Sequence, residues 1–176
     1  MLTIFCYGSN LPKRRLSNRI GQVMHLGNAL LHGYSLGFNK KSKDGSGKAN
    51  INFVDKSEDF VWGIVIQITE VQKEKLDRFE GKGKGYSEQE VEVILQNGTK
   101  IEALTYVADT DWLDSSLKPF DWYKALIIFG LMENQVPINY LMKIKNFECT
   151  PDTNIERSDE NWSIIKSSLI ANENPQ

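Results

Sequence analysis

Leu2-Thr3-Ile4-Phe5-Cys6-Tyr7-Gly8-Ser9-Asn10-Leu11 opens the chain with an apolar run that stops abruptly at a Gly-Ser-Asn turn. A buried strand that ends this way leaves main-chain N–H groups without a ladder partner. Gly8 lets a ligand come close to the backbone, and Ser9 and Asn10 favour a tight turn by bonding to nearby backbone. The product is a small nest of donors suited to a carboxylate or a developing oxyanion. The same tripeptide also serves as an ordinary strand-to-helix turn, so the rest of the chain must decide between the two.

Outward from that stretch, residues 2–7 read as a buried strand bounded by Gly8. Pro12 suits a first helical position and predicts a short helix over 12–20, ending before Gly21. Segments 22–32 and 34–39 read as strands bent at Gly27, Gly33 and Gly37. Residues 40–47 are polar and glycine-rich, the composition of a mobile loop. Ile51 and Phe53 alternate with Asn50 and Asn52, which predicts a short half-buried strand. The strongest strand is Phe60–Ile68, β-branched and aromatic with one glycine.

Thr69 caps a predicted helix over 70–79 whose apolar side is Val71, Leu76 and Phe79. Gly81, Gly83 and Gly85 break it. Residues 86–96 and 99–108 alternate apolar and polar around Asn97-Gly98, the signature of a hairpin on a tight primed turn. After Pro119 the run Phe120–Glu133 is helical in period, and a further helix follows Pro137. These elements do not alternate as regular βαβ units. They predict an α+β fold: a mixed, partly closed β-barrel flanked by helices. One domain over 1–150 is expected, followed by a polar tail over 151–176 with Trp162, Ile164 and Ile165 as its only sizeable apolar group.

Composition excludes several classes. With 40% hydrophobic and 10% aromatic residues among 176, this is a sequence that builds a core. Lys and Arg total 21 against 23 acidic residues, so nothing suggests a polyanion such as nucleic acid as partner. The two cysteines, Cys6 and Cys149, form no Cys-x-x-Cys pair, which argues against zinc or a disulfide framework and suits a reducing compartment. No apolar run approaches the ~20 residues of a membrane span, and the N-terminus does not read as a signal peptide. The expectation is a soluble cytoplasmic protein.

Candidate nucleophiles are poor. Cys6 could pair with His25 or His32, but a cysteine inside an apolar strand is ordinarily a small core residue. His25 and His32 lie on opposite faces of a regular strand, which disfavours a shared metal. Glu80 is different: it closes an amphipathic helix ahead of a glycine-rich turn, at the negative end of the helix dipole. That is a setting for a proton-accepting carboxylate, and equally for a solvated residue before a glycine cap. Tyr7, Tyr86, Tyr106 and Tyr123 offer flat walls with hydrogen-bonding tips, suited to a small polar ligand.

Together these residues resemble the gamma-glutamylcyclotransferase family. The likeness is carried by Tyr7-Gly8-Ser9-Asn10-Leu11, Val61-Trp62-Gly63-Ile64-Val65 and Leu76-Asp77-Arg78-Phe79-Glu80-Gly81 with Tyr86. It continues through Ala103-Leu104-Thr105-Tyr106, Pro119-Phe120-Asp121-Trp122-Tyr123-Lys124 and the run from Gly130 to Pro137, over residues 1–148. The resemblance implies a mixed αβ barrel that releases 5-oxoproline from a gamma-glutamyl amino acid or amine, with no metal and no organic cofactor. It implies that Tyr7, Gly8, Ser9, Asn10 and Leu11 hold the glutamyl moiety and that Glu80 is the acid/base. It further implies that Tyr123 lines the pocket with Tyr86 nearby. A non-catalytic protein that kept the pocket is the alternative. A homodimer is compatible with the likeness, and composition is silent on it. Loops 40–48, 81–85 and 109–118 should set the choice of leaving group. The acidic run Asp109–Asp114 hints at a cationic or amine-bearing one.

Overall fold

Strand β5 (Phe60–Ile68) is the spine of the molecule, antiparallel to β1 (Leu2–Cys6) on one edge and to β2 (Met24–His32) on the other. Val61, Ile64, Val65, Ile66 and Ile68 are all inaccessible to solvent, as expected of a strand covered on both faces. Gly63 sits where a Cβ would come within 2.4 Å of the Cys6 carbonyl oxygen and 2.5 Å of the Phe5 ring. Only glycine lets β1 and β5 pack this closely. The computed structural model describes residues 1–173, and all elements below lie within them.

β6 (Tyr86–Leu95) and β7 (Lys100–Ala108) form the expected hairpin. β6 pairs with β2, and β7 lies parallel to β1 through Ile4 and Leu104. The order β1-β5-β2-β6-β7 therefore closes on itself, so closure is complete where a partial one was expected. β3 (Tyr34–Lys41) and β4 (Gly47–Phe53) form a separate two-stranded sheet. The chain thus shows an α+β barrel flanked by five helices: α1 (Lys13–Ile20), α2 (Glu70–Glu80), α3 (Asp121–Glu133), α4 (Ile138–Lys145) and α5 (Ile155–Glu173). None of the described helices is long and apolar enough to cross a membrane.

Several local readings need correction. The turn at Asn97-Gly98 is not primed: only Gly98 has positive φ (84°), and Gly98 N–H donates to the Leu95 carbonyl. This is a type I turn followed by a left-handed glycine, the three-residue hairpin solution. Thr69 does cap α2, in a reciprocal box with Gln72. However, Val71 and Phe79 are exposed, while Leu76 and Lys73 are buried. Lys73 is drawn inward by Asp77 and Glu88. In β4 the alternation fails because Asn50 is buried, its Oδ1 accepting from Ala108 N–H at 2.8 Å, and Phe53 is left outside against Tyr34. The loop expected over 40–47 is shorter, since β3 and β4 extend into it and Lys40 and Ser46 are buried.

The polar segment after residue 150 forms α5, which packs on α3 and α1. Asp152 anchors its start: the carboxylate is fully enclosed, takes two bonds from Arg157 at 2.6 Å and one from Trp122 Nε1 at 2.8 Å. Ile165 and Ser168 then turn inward. A docking face of so few apolar residues is hard to see as a helical period.

Candidate active site

The Gly8–Leu11 turn sits between β1 and α1, closed by Leu11 N–H donating to the Gly8 carbonyl at 3.1 Å. The N–H groups of Ser9 and Asn10 donate to no protein acceptor among the described residues. They are the free donors that the sequence foreshadowed. Gly8 does not have positive φ, and a Cβ there would make only ordinary contacts, with the Ala49 Cβ at 3.4 Å and the Tyr123 hydroxyl at 3.9 Å.

The turn forms one wall of a pocket of about 350 Å³ that Glu80, Tyr86, Tyr106 and Tyr123 complete. Of the residues expected to hold a ligand, Tyr7, Gly8, Ser9, Asn10, Tyr86 and Tyr123 come together around Glu80. Leu11 does not. Its side chain is fully buried beneath the turn, against Gly130 of α3, where a Cβ on Gly130 would lie 2.4 Å from the Leu11 Cβ. Leu11 anchors the turn to the helix layer and does not face the pocket.

Glu80 is the last residue of α2, and Gly81 behind it adopts the left-handed cap, φ 67°. Its Oε1 accepts from Asn10 Nδ2 at 2.7 Å and lies 3.4 Å from Arg19 Nη1. Arg19 in turn donates to Asn10 Oδ1 at 2.6 Å and covers the Phe79 ring. Two residues, one from the turn and one from α1, thus fix one carboxylate oxygen. Oε2 takes no hydrogen bond from the described residues, so its lone pairs are left for a ligand. Lys82, in the turn after Glu80, is turned to Glu88 and Asp77, and Lys84 is exposed.

The tyrosines differ in what they can offer. Tyr7 donates to the Tyr106 carbonyl, Tyr106 to Asp77 Oδ1 at 2.6 Å and Tyr86 to the Ala49 carbonyl at 2.6 Å. Tyr123 instead accepts, from Ala49 N–H at 3.2 Å. Its own hydroxyl proton remains available to the pocket. Burial, and Glu80 after it, push the Tyr7 phenol well above its ordinary range, and burial likewise raises Tyr123. All are neutral donors at physiological pH.

Cys6 lines the pocket floor, but burial first and Glu80 second raise its thiol far above the ordinary range. A thiolate nucleophile is not formed there. His25 and His32 are both exposed, and neither lines this pocket. No group of three potential metal ligands occurs among the described residues. Tyr106, read from the sequence as one of four candidate walls, does line the pocket, whereas Arg19 and Ala49 were not anticipated as part of the site. Arg19 reads as a surface residue of a short helix, and Ala49 acts through its backbone, which carries no sequence signal.

A closed barrel with one oriented carboxylate, free backbone donors and a tyrosine wall defines a site for proton transfer on a small polar substrate. Comparison with known proteins gives that class its particular form. Residues 4–124 match the family described as gamma-glutamyl cyclotransferase, AIG2-like. The gamma-glutamylcyclotransferases of Bos taurus and Homo sapiens are each 32% identical over 167 residues, 92% of this chain and 86% of theirs. A solved gamma-glutamyl cyclotransferase superposes with a TM-score of 0.83 at 31% identity, covering 94% of this chain and 98% of that one. The chain belongs to the gamma-glutamyl cyclotransferase family.

Proposed function

We propose that the chain converts a gamma-glutamyl amino acid or amine into 5-oxoproline and the freed amine, with Glu80 as the single acid/base. The observation that carries this reading is the asymmetric hold on Glu80, a residue of the pocket lining: Oε1 is tied to Asn10 and Arg19, and Oε2 has no hydrogen-bond partner among the described residues. The substrate's α-amine is protonated at neutral pH and is no nucleophile until it loses a proton. Glu80 Oε2 takes that proton. The freed amine attacks the γ-carbonyl carbon, closing a five-membered ring and placing negative charge on the carbonyl oxygen.

Donors aimed at that oxygen stabilise the tetrahedral state, by about 3 kcal/mol each in comparable sites. The N–H groups of Ser9 and Asn10 and the Tyr123 hydroxyl are the candidates. Collapse then expels the leaving nitrogen, which receives the proton held on Glu80. The freed carboxylate takes the second proton from the ring nitrogen and passes it to the departing amine, which leaves as an ammonium. The C–N bond to the leaving group breaks as the ring bond remains, and no outside nucleophile or water is consumed. Confinement of the flexible glutamyl chain in a small pocket supplies the proximity contribution.

The test is 5-oxoproline release from a gamma-glutamyl amino acid panel by wild type and Glu80→Gln. The amide keeps an oxygen for Asn10 but has no basic one, so kcat should fall about 10³-fold with the fold intact. Turnover retained in the variant overturns the mechanism. The alternative of a non-catalytic pocket has no observation in its favour. A cytoplasmic site of action and a homodimer belong to the same proposal, and sedimentation of the purified chain reads the second directly.

A further inference from the structure

Beyond the inner pocket lies a second cavity of about 650 Å³, continuous with it through Ser9, Glu80, Tyr86 and Tyr123. Four cations line this vestibule: Arg15, Arg19, Lys40 and Lys48. Two of them are matched. Arg19 faces Glu80, and Lys48 holds Asp44 at 2.8 Å within the turn between β3 and β4. The other two have no carboxylate within 4.0 Å among the described residues.

Lys40 is only 9% exposed, and its Nζ makes no hydrogen bond there. The ammonium lies 4.8 Å from the Tyr86 ring centre and 5.1 Å from that of Trp112. Its stem runs through a slot that exists because residue 85 is glycine: a Cβ there would lie 2.9 Å from both Lys40 Cε and the Trp112 ring. Arg15 is similar. Among the described residues its only side-chain partner is the neutral Asn161 Oδ1 of α5 at 3.1 Å, and its buried Nε has none. Ordered cations held partly out of water with no carboxylate in contact gain from an anion that completes them. Side chains held in place beforehand bind that anion with little further ordering.

The acidic run that hinted at a cationic leaving group supplies Lys40 with no contact partner; Asp109 acts on it only at longer range, as Glu80 and Asp44 do. Asp109 accepts from Ser87 Oγ and Asp114 from Ser116, while the segment contributes Trp112 to the wall of the Lys40 slot. Neither free cation lines the inner pocket that takes the glutamyl part; both line only the vestibule. Two unmatched positive charges therefore remain for the part that leaves. We propose that the preferred leaving group is a dicarboxylic amino acid, its two carboxylates met by Lys40 and Arg15. Gamma-glutamyl-glutamate and gamma-glutamyl-aspartate have this chemistry. The proposal rests on the cyclotransferase reading above and names the substrate class of that same site.

The experiment measures kcat/KM for gamma-glutamyl-glutamate, gamma-glutamyl-glutamine, gamma-glutamyl-alanine and gamma-glutamyl-butylamine. Glutamate and glutamine leaving groups differ only in one charge, so the preference for glutamate should be about tenfold or more, carried by KM. Lys40→Met keeps the stem in its slot and removes the charge; the glutamate-to-glutamine ratio should collapse towards unity. A merely structural role for Lys40 would lower all four substrates together and leave that ratio in place. Calorimetric binding of the same two dipeptides to Glu80→Gln gives a readout independent of turnover. Equal kcat/KM for glutamate and glutamine, a ratio unmoved by Lys40→Met, or equal affinities overturn the proposal. If 5-oxoproline is released without acidic preference, this inference alone fails; if none is released from any substrate, the proposed function fails as well.

Discussion

The inner pocket and the vestibule adjoin each other and share Tyr86, Tyr123 and Glu80, yet they are built on opposite principles. The inner pocket contains one carboxylate, three of its four phenol protons are spent on the protein, and its free donors are backbone N–H groups. The vestibule is lined by long cationic side chains from α1 and from the β3–β4 hairpin. Backbone donors at the end of a barrel strand are fixed by the fold and suit the invariant part of a substrate. Side chains on a hairpin outside the barrel can be exchanged without disturbing closure, and suit the part that varies. Chemistry and selectivity are thus carried by different layers of the same molecule.

That division can be broken in graded ways. Glu80→Gln, as argued above, has the largest expected effect, a loss confined to kcat. Leu11→Ala comes next and acts on stability: removing a fully buried side chain below the turn should cost about 3 kcal/mol, read as a lowered denaturant midpoint. A substrate-contact role for Leu11 would instead raise KM at unchanged stability.

Asp44→Asn tests the hairpin turn. Burial acts to raise the Asp44 pKa, but the hydrogen bonds from Lys48 and Ser46 outweigh it and hold it at about 2, below its ordinary value of 3.8. A depressed folded-state value means the contribution is complete above the ordinary value and is lost as pH falls through about 2. The variant should therefore be less stable at pH 6, by about 1 kcal/mol after allowance for solvent screening. The gap between variant and wild type should close on acidification towards pH 2. A gap that stays constant with pH would mean that the ion pair contributes nothing there. The smallest effect is expected from Cys6→Ala, which should lower kcat by less than about tenfold, in keeping with a buried protonated thiol.

Much of the inner pocket was legible from sequence and little of the vestibule. The Tyr7–Asn10 turn, Glu80, Tyr86 and Tyr123 are marked by residue type at element ends, where a turn or a cap restricts the choice. Arg19 was not legible because its partner Glu80 is 61 residues away and nothing local distinguishes it from a surface arginine. Lys40 fell in a stretch whose composition reads as a solvated loop, and its burial depends on Gly85 and Trp112 from distant segments. The barrel strands were readable because their apolar runs are long. Full closure depends on the single parallel contact between β1 and β7, which leaves no pattern of its own. The face of α2 was misjudged at Val71 and Phe79 because Lys73, a residue type seldom buried, takes the inward position with two acidic partners.

Ala49 gives this arrangement a built-in spectroscopic handle. Its N–H donates to the Tyr123 hydroxyl and its carbonyl accepts from the Tyr86 hydroxyl, so one residue is wired through its backbone to both aromatic walls. Anything that draws on the free proton of Tyr123 alters the acceptor strength of the same oxygen. In a nitrogen-labelled sample the Ala49 amide resonance should therefore shift when the inner pocket fills, and titrating 5-oxoproline while following that one signal would report occupancy without touching the chemistry.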